Sequence, residues 1–177
     1  GSRFGGDKLL YPLEDGVAIG AHAARNLLAA GIGVTAVVKP GDFPLADMLE
    51  QEGCYVTVCH DAAHGMAASL AHGIAHTRNA GGWVVALGDM PVIRPETVEN
   101  VVQALRDGAE IVAPTYHGER GHPVGFSARF RDELTALSGD SGARAVLQRN
   151  AARIRLIESG DPGVLHDIDR RDDITAR

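Results

Sequence analysis

Apolar and polar residues along this chain follow two alternating rhythms. Over residues 17–30 apolar positions recur at helical spacing. Ile19, Ala23, Leu27 and Ala30 share one face, and Gly31 follows the last of them, which predicts a helix and its stop. Residues 34–38 form a short β-branched run, predicted as a strand. Residues 44–52 then read as a short helix, and residues 54–58 as a second strand. A helix opened by Gly65 runs to about Asn79. A charge-free apolar run at residues 83–87 reads as a strand buried on both faces of a sheet. Residues 95–106 form a helix with Pro at its start and Gly108 beyond its end. Residues 111–116 are a strand, 117–121 a turn, and 122–127 an antiparallel return arm. Helices at 130–137 and 143–150 (the second capped by Asp140 or Ser141) and a strand at 153–158 complete the pattern. Strands alternating with helices predict an α/β fold, three-layer and doubly wound, with a mostly parallel sheet and one antiparallel hairpin strand.

Composition narrows the class. The 177 residues suffice for one domain with a full core, and 45% hydrophobic with 23% charged residues suits a soluble globular protein. The formal net charge of -6 argues against a nucleic-acid partner held on a basic surface. No run of 18 apolar residues exists to span a membrane, and a cytoplasmic enzyme is expected. Cys54 and Cys59 match no common zinc or disulfide spacing and read as buried free thiols.

Candidate chemistry collects at element ends. Asp89, in Leu-Gly-Asp-Met-Pro, sits at a strand's carboxyl end, where open α/β sheets bind ligands; it is a candidate ligand of a hard cation, or a turn-forming acid. The opening Gly-Ser-Arg-Phe-Gly-Gly-Asp-Lys is rich in glycine and carries Arg3 and Lys8. Such a loop can turn backbone N–H groups and cations toward an anion, or be a plain surface turn. The helix start at Gly65, with Ser69 one turn in, could face a ligand. His72 and His76 are four apart on that helix, and solvated histidines are a simpler account than a metal site. His122, beside Arg120, lies at the rim of the hairpin. Arg144, in a helix's first turn, opposes the dipole and is a candidate anion contact. Asp167 and Asp169 share one face of an extended segment; they invite a cation, unless Asp169 only caps the last turn.

Four of these pieces, in order, are Gly-Ser-Arg-Phe-Gly-Gly-Asp-Lys, Leu-Gly-Asp-Met-Pro, Arg-Gly-His-Pro-Val-Gly-Phe and Asp-Ile-Asp. Together they resemble the MobA-like nucleotidyltransferases over essentially the whole chain, and among them the molybdenum cofactor cytidylyltransferases. The resemblance implies a Rossmann-like fold of the nucleotide-diphospho-sugar transferase type and a Mg2+-dependent reaction. In that reaction the terminal phosphate of molybdopterin attacks the α-phosphate of CTP and pyrophosphate leaves.

By the same resemblance Arg3 and Lys8 hold the nucleotide's phosphates as catalytic cations, and Asp89 and Asp169 hold Mg2+. Gly1, Ser2 and Gly5 of the loop, with Gly65 and Ser69, bind the nucleotide. His122, Arg120 and Arg144 lie on the acceptor side. The partners implied are CTP or another NTP, molybdopterin, and in passing a molybdoenzyme of the xanthine dehydrogenase type or its chaperone. Related guanylyltransferases usually carry Asn where this chain has Asp167 and Asp169, which favours cytosine. A guanylyltransferase, another nucleotidyltransferase acting on a sugar phosphate, and a non-catalytic cofactor-binding protein remain as alternatives. The family also begins with a strand and a small-small-Gly turn, neither of which is present here. The sheet is therefore expected to show a strand-wide gap beside residues 34–38 or 84–87.

Overall fold

The structure is a computed structural model, and it describes residues 7–139 and 142–174. After a turn of 3-10 helix at Lys8–Leu10 comes α1 (Ile19–Ala29), which buries Ile19, Ala21, Ala23 and Ala24. Then follow β1 (Thr35–Val38), α2 (Phe43–Gln51), β2 (Tyr55–Val58), α3 (Met66–His76) and β3 (Gly82–Val85). The helix α4 (Pro95–Arg106) leads to β4 (Ile111–Tyr116), β5 (Glu119–Arg120) and β6 (Val124–Ser127). The chain continues through α5 (Arg131–Thr135), α6 (Arg144–Arg149) and β7 (Ile154–Glu158). Of the elements expected from sequence, α4 and β4 keep their expected bounds. The others shift by a few residues at their ends, where fraying and caps decide the boundary.

One sheet runs β3-β6-β4-β5, with β7 on the other edge of β4. β6 is antiparallel to both β3 and β4, so those two run the same way, and β7 is parallel to β4. β5 returns from β4 through His117 and Gly118, whose positive φ values of 51° and 79° give the right twist for a two-residue hairpin. β1 and β2 form a separate parallel pair. The expected mixed sheet, parallel in the main with an antiparallel hairpin arm, is present.

Alternate residues of β4 set the layers. Ile111 and Ala113 meet Ile74, Phe126, Phe130, Leu134 and Val146, beneath α3, α5 and α6. Val112 faces the other way, onto Val101 and Ala104 of α4. A second core joins α1, α2, β1 and the start of β2 through Ala24, Val38, Leu45, Leu49 and Cys54. Both cysteines are free and buried.

Two expectations need correction. The run at 83–87 is not buried on both faces: Trp83 is buried, but Val84 to Leu87 are only half-buried, because among the described residues no strand lies against the second edge of β3. His72 is not a solvated helix histidine. It is half-buried, its Nε2 lies 2.8 Å from Thr57 Oγ1, and its ring stacks on His76 at 3.9 Å.

Candidate active site

The chain leaves β3, turns at Gly88 and places Asp89 at the carboxyl edge of the sheet. There Lys8 Nζ donates to Asp89 Oδ2 at 2.7 Å and to Asp169 Oδ1 at 3.3 Å. Residues 81 and 161 positions apart in sequence from Lys8 thus share one ammonium. Two contacts of 2.7 and 3.3 Å to one nitrogen keep the carboxylate oxygens no more than about 6 Å apart, and a hard cation with ligand distances of about 2 Å would draw them to within about 4 Å of each other. Burial works to lower the Lys8 pKa, but its hydrogen bonds and charge interactions with Asp89 and Asp169 outweigh that and hold it above its ordinary value. The side chains are 11%, 24% and 52% exposed for Lys8, Asp89 and Asp169, so the first pair is the better shielded and stronger one.

Main-chain ties fix the three. Asp89 accepts, through its backbone carbonyl, from the N–H of Ile168 at 2.9 Å, which pins the closing segment against the strand end. Asp173 Oδ2 accepts from the N–H groups of Asp169 and Arg170 at 2.9 and 2.7 Å, closing the turn that presents Asp169. Those two backbone hydrogen bonds, Arg170 first, hold the Asp173 carboxyl below its ordinary pKa.

His122 comes from the hairpin arm. Its N–H donates to the Val164 carbonyl at 2.9 Å, and its peptide bond to Pro123 is cis. A Cβ at Gly121 would run into the Val164 carbonyl, so glycine is what allows the arm to lie so close. The His122 ring is largely buried, and its Nδ1 has no hydrogen-bond partner among the described residues. Burial first, and Arg120 second, push its pKa down against the opposing pull of Asp89 and Asp167, which keeps the ring neutral near pH 7.

His122, Arg120, Ser69 and Arg144 all line one cavity of about 1070 Å3, whose wall also includes Leu9 and Gly88, the chain neighbours of Lys8 and Asp89. Asp169 and Asp167 line a second, smaller hollow with Asp173. Gly65 is the N-cap of α3, with φ 109°, and stands beside Met66 of the cavity wall. The first free N–H groups of that helix are partly used, since Ala67 donates to the Gly139 carbonyl at 3.2 Å. Gly1, Ser2, Arg3 and Gly5 lie outside the described residues, as do Asp140 and Ser141.

Sequence reasoning missed two acids. Asp161 is buried at 2% exposure and accepts from Arg94 N, Thr97 Oγ1 and Gly163 N at 2.8, 2.8 and 2.9 Å. It ties the segment carrying Val164 to the start of α4. Its Asp-Pro-Gly context is the signal that could have marked a side chain capping its own turn. Asp173, four residues after Asp169, had no comparable mark. Among the described residues no group of three or more His, Cys, Asp or Glu converges as a metal site. Two carboxylates are still what Mg2+ needs when substrate phosphates complete its shell.

A family described as MobA-like NTP transferase domain matches residues 1–154. The chain belongs to that family. It is therefore an enzyme of the nucleotidyltransferase class, as the motifs led us to expect. Among individual proteins, this MobA-like chain is 30% identical over 181 residues to nicotine blue oxidoreductase of Paenarthrobacter nicotinovorans, covering 96% of this chain and 87% of that protein. It is 27% identical to Rv0371c of Mycobacterium tuberculosis, with a TM-score of 0.85 over 98% of this chain and 89% of that one. Rv0371c has also been solved in complex with manganese (26% identity, TM-score 0.82, 97% and 91% covered). A molybdopterin-guanine dinucleotide biosynthesis protein A from Archaeoglobus fulgidus shares the fold at 18% identity and a TM-score of 0.64, covering 97% of this chain and 88% of its own.

Proposed function

We propose that this MobA-like enzyme transfers CMP from CTP to the terminal phosphate of molybdopterin and releases pyrophosphate. The observation that carries the reading is the convergence of Lys8, Asp89 and Asp169 at the carboxyl edge of the sheet, beside a cavity lined by Ser69, Arg120, His122 and Arg144. An acceptor phosphate oxygen forms a bond to the α-phosphorus, the bond from that phosphorus to the bridging oxygen breaks, and pyrophosphate carries the electron pair away. No protein nucleophile is needed, since positioning and charge do most of the work in such transfers.

The two carboxylates already gather round one cation, the Lys8 ammonium, so the donor set fits a divalent ion. Asp89 and Asp169 would hold Mg2+; the manganese bound by Rv0371c supports a divalent ion at this fold. Such an ion supplies neutralising charge for the departing pyrophosphate. Lys8 and Arg3 neutralise the nucleotide's phosphates, and Gly1, Ser2, Gly5, Gly65 and Ser69 contact the nucleotide. Arg120 and Arg144 meet the acceptor's phosphate, and neutral His122 offers its unpartnered Nδ1 to the acceptor.

Pyrophosphate release with molybdopterin, Mg2+ and each of CTP, GTP, ATP and UTP tests the reading. CTP should exceed GTP by at least about tenfold, well within the discrimination that a site hydrogen-bonding the base edge can reach. Equal or greater turnover of GTP refutes the cytidylyl assignment.

One observation favours a second reading, the 30% identity to an oxidoreductase. On that reading the cavity binds a redox cofactor and its substrate. Consumption of a reduced nicotinamide cofactor with a dye acceptor, and no pyrophosphate release with any triphosphate, would establish it instead.

A further inference from the structure

Lys8 begins one short turn at the carboxyl edge, and Asp169 stands just before another. The first is the 3-10 turn Lys8–Leu10, which Tyr11 closes by donating its N–H to the Lys8 carbonyl at 3.1 Å. The second is the 3-10 turn Arg171–Ile174. Asp173 closes it with both its side chain and its backbone. Its Oδ2 accepts from the N–H groups of Asp169 and Arg170 at 2.9 and 2.7 Å, and its own N–H donates to the Arg170 carbonyl at 3.1 Å. These bonds fold the backbone from Asp169 to Asp173 onto itself, which takes most of the conformational freedom out of Asp169.

The two turns are joined away from the charges they carry. The Arg171 guanidinium lies over the Tyr11 ring, 5.2 Å from its centroid. Tyr11 and Leu9, from the Lys8 turn, pack against an apolar cluster whose buried members are Leu13, Ile19 and Ile168. Ile174 packs on the same cluster. Ile168 and Ile174 stand on either side of Asp169 and its turn, so the cluster grips the acid from both ends. A second route from Lys8 to Asp169 thus runs through Tyr11, Arg171 and Asp173. The direct contact of 3.3 Å between Lys8 and a half-exposed Asp169 is too weak to place that acid alone.

Placement matters because a divalent ion with ligand distances of about 2 Å tolerates little error in its second carboxylate. A turn closed beforehand has already lost the freedom that ion binding would otherwise remove.

We propose that Asp173 and Arg171 are positioning residues of the carboxyl edge. Asp173 sets the backbone of Asp169, and Arg171, seated on Tyr11, sets where that turn stands relative to Lys8 and Asp89. The inference rests on the reading that Asp169 holds a divalent ion, and it assigns the placement of that acid to two side chains outside the donor set.

Mn2+ binding to the full chain without nucleotide, followed by electron paramagnetic resonance, tests it together with the amide resonances of Asp169 and Arg170. Asp173→Ala should weaken Mn2+ binding by about tenfold or more, since two backbone donors lose a charged acceptor, and should move both amide resonances upfield. Asp173→Asn keeps an acceptor oxygen and should stay within about threefold of the parent. Arg171→Gln should weaken binding by about two- to fivefold, the scale of an exposed cation–π contact, and Arg171→Lys should restore most of it. Asp169→Asn is the reference and should lose more affinity than any of these. If either Asp173→Ala or Arg171→Gln binds Mn2+ like the parent while Asp169→Asn does not, the proposal falls and the metal reading stands. If Asp169→Asn also binds like the parent, both fall. Equal losses in Asp173→Ala and Asp173→Asn, with a common drop in melting midpoint, would overturn the proposal too and make Asp173 an acid that only stabilises the fold.

Discussion

Replacing Asp89 by Asn separates the chemistry of the carboxyl edge from its architecture. The amide keeps the shape of the side chain and removes its charge. Three effects on stability follow from the structure. The Lys8 ammonium loses a charge-assisted bond of 2.7 Å, worth about 1.5–3 kcal/mol when shielded. It keeps Asp169 at 3.3 Å, although that partner is 52% exposed and weaker for it. The backbone bond from Ile168 N to the Asp89 carbonyl is untouched. The net loss should be about 1–2 kcal/mol against a domain stability of roughly 5–15 kcal/mol, so the variant folds. For a chain of this size that is a drop of roughly 2–8 °C in the melting midpoint. Activity should respond on another scale. Removing one preorganised charge from a site of developing anionic charge costs about 100- to 1000-fold in kcat. Circular dichroism melts together with pyrophosphate release read both quantities. Turnover within threefold of the parent enzyme would refute the role given to Asp89. Collapse of the fold would make it a structural acid instead.

Three further outcomes are expected. Gly121→Ala drives a Cβ into the Val164 carbonyl, which should lower stability by about 1–3 kcal/mol and disturb His122, seen as a lower melting midpoint and an altered His122 ring resonance. Asp161→Ala leaves the N–H groups of Arg94 and Gly163 and the Thr97 hydroxyl without their acceptor in a buried place, and should cost about 2–5 kcal/mol in chemical denaturation. His122 has its folded pKa below its ordinary 6.5, so the unfolded chain takes the proton first. Its stabilising contribution is full above about pH 6.5 and is lost as pH falls toward the lowered folded value. Melting midpoints between pH 7 and pH 5 should therefore fall more steeply for the parent than for His122→Asn, and parallel slopes would refute the assignment.

The order of elements was legible because hydrophobic period, glycine stops and Pro95 agree with one another along α4, β4 and the hairpin. The strand-end acid was legible for a local reason too, since Gly-Asp-Met-Pro ends a strand whatever lies around it. Its pairing with Asp169 through Lys8 was not local, and only the resemblance brought those three together. The half-burial of Val84 to Leu87 went the other way. An apolar run predicts what a strand can bury, whereas actual burial depends on its neighbours. Asp161 escaped notice because a buried acid that accepts three hydrogen bonds looks, in sequence, like any Asp before Pro-Gly. Asp173 was hidden by the acidic run around it.

The carboxyl edge and the β1-β2 pair are held by different parts of the molecule, and this bears on how each can fail. The edge is organised by the segment after β7. Asp161 ties it to α4, the Val164 carbonyl takes the His122 N–H, Ile168 N reaches the Asp89 carbonyl, and Asp173 closes the turn at Asp169. None of these bonds crosses to β1 or β2. β1 and β2 form a separate pair that packs on α1, α2 and α3. Changes at Asp161 should therefore loosen His122 and Asp169 while leaving amide hydrogen exchange at Thr35 and Val37 unaltered. Exchange at Thr35 and Val37 that moved together with the His122 resonance would show instead that the two sheets are coupled through the helices between them.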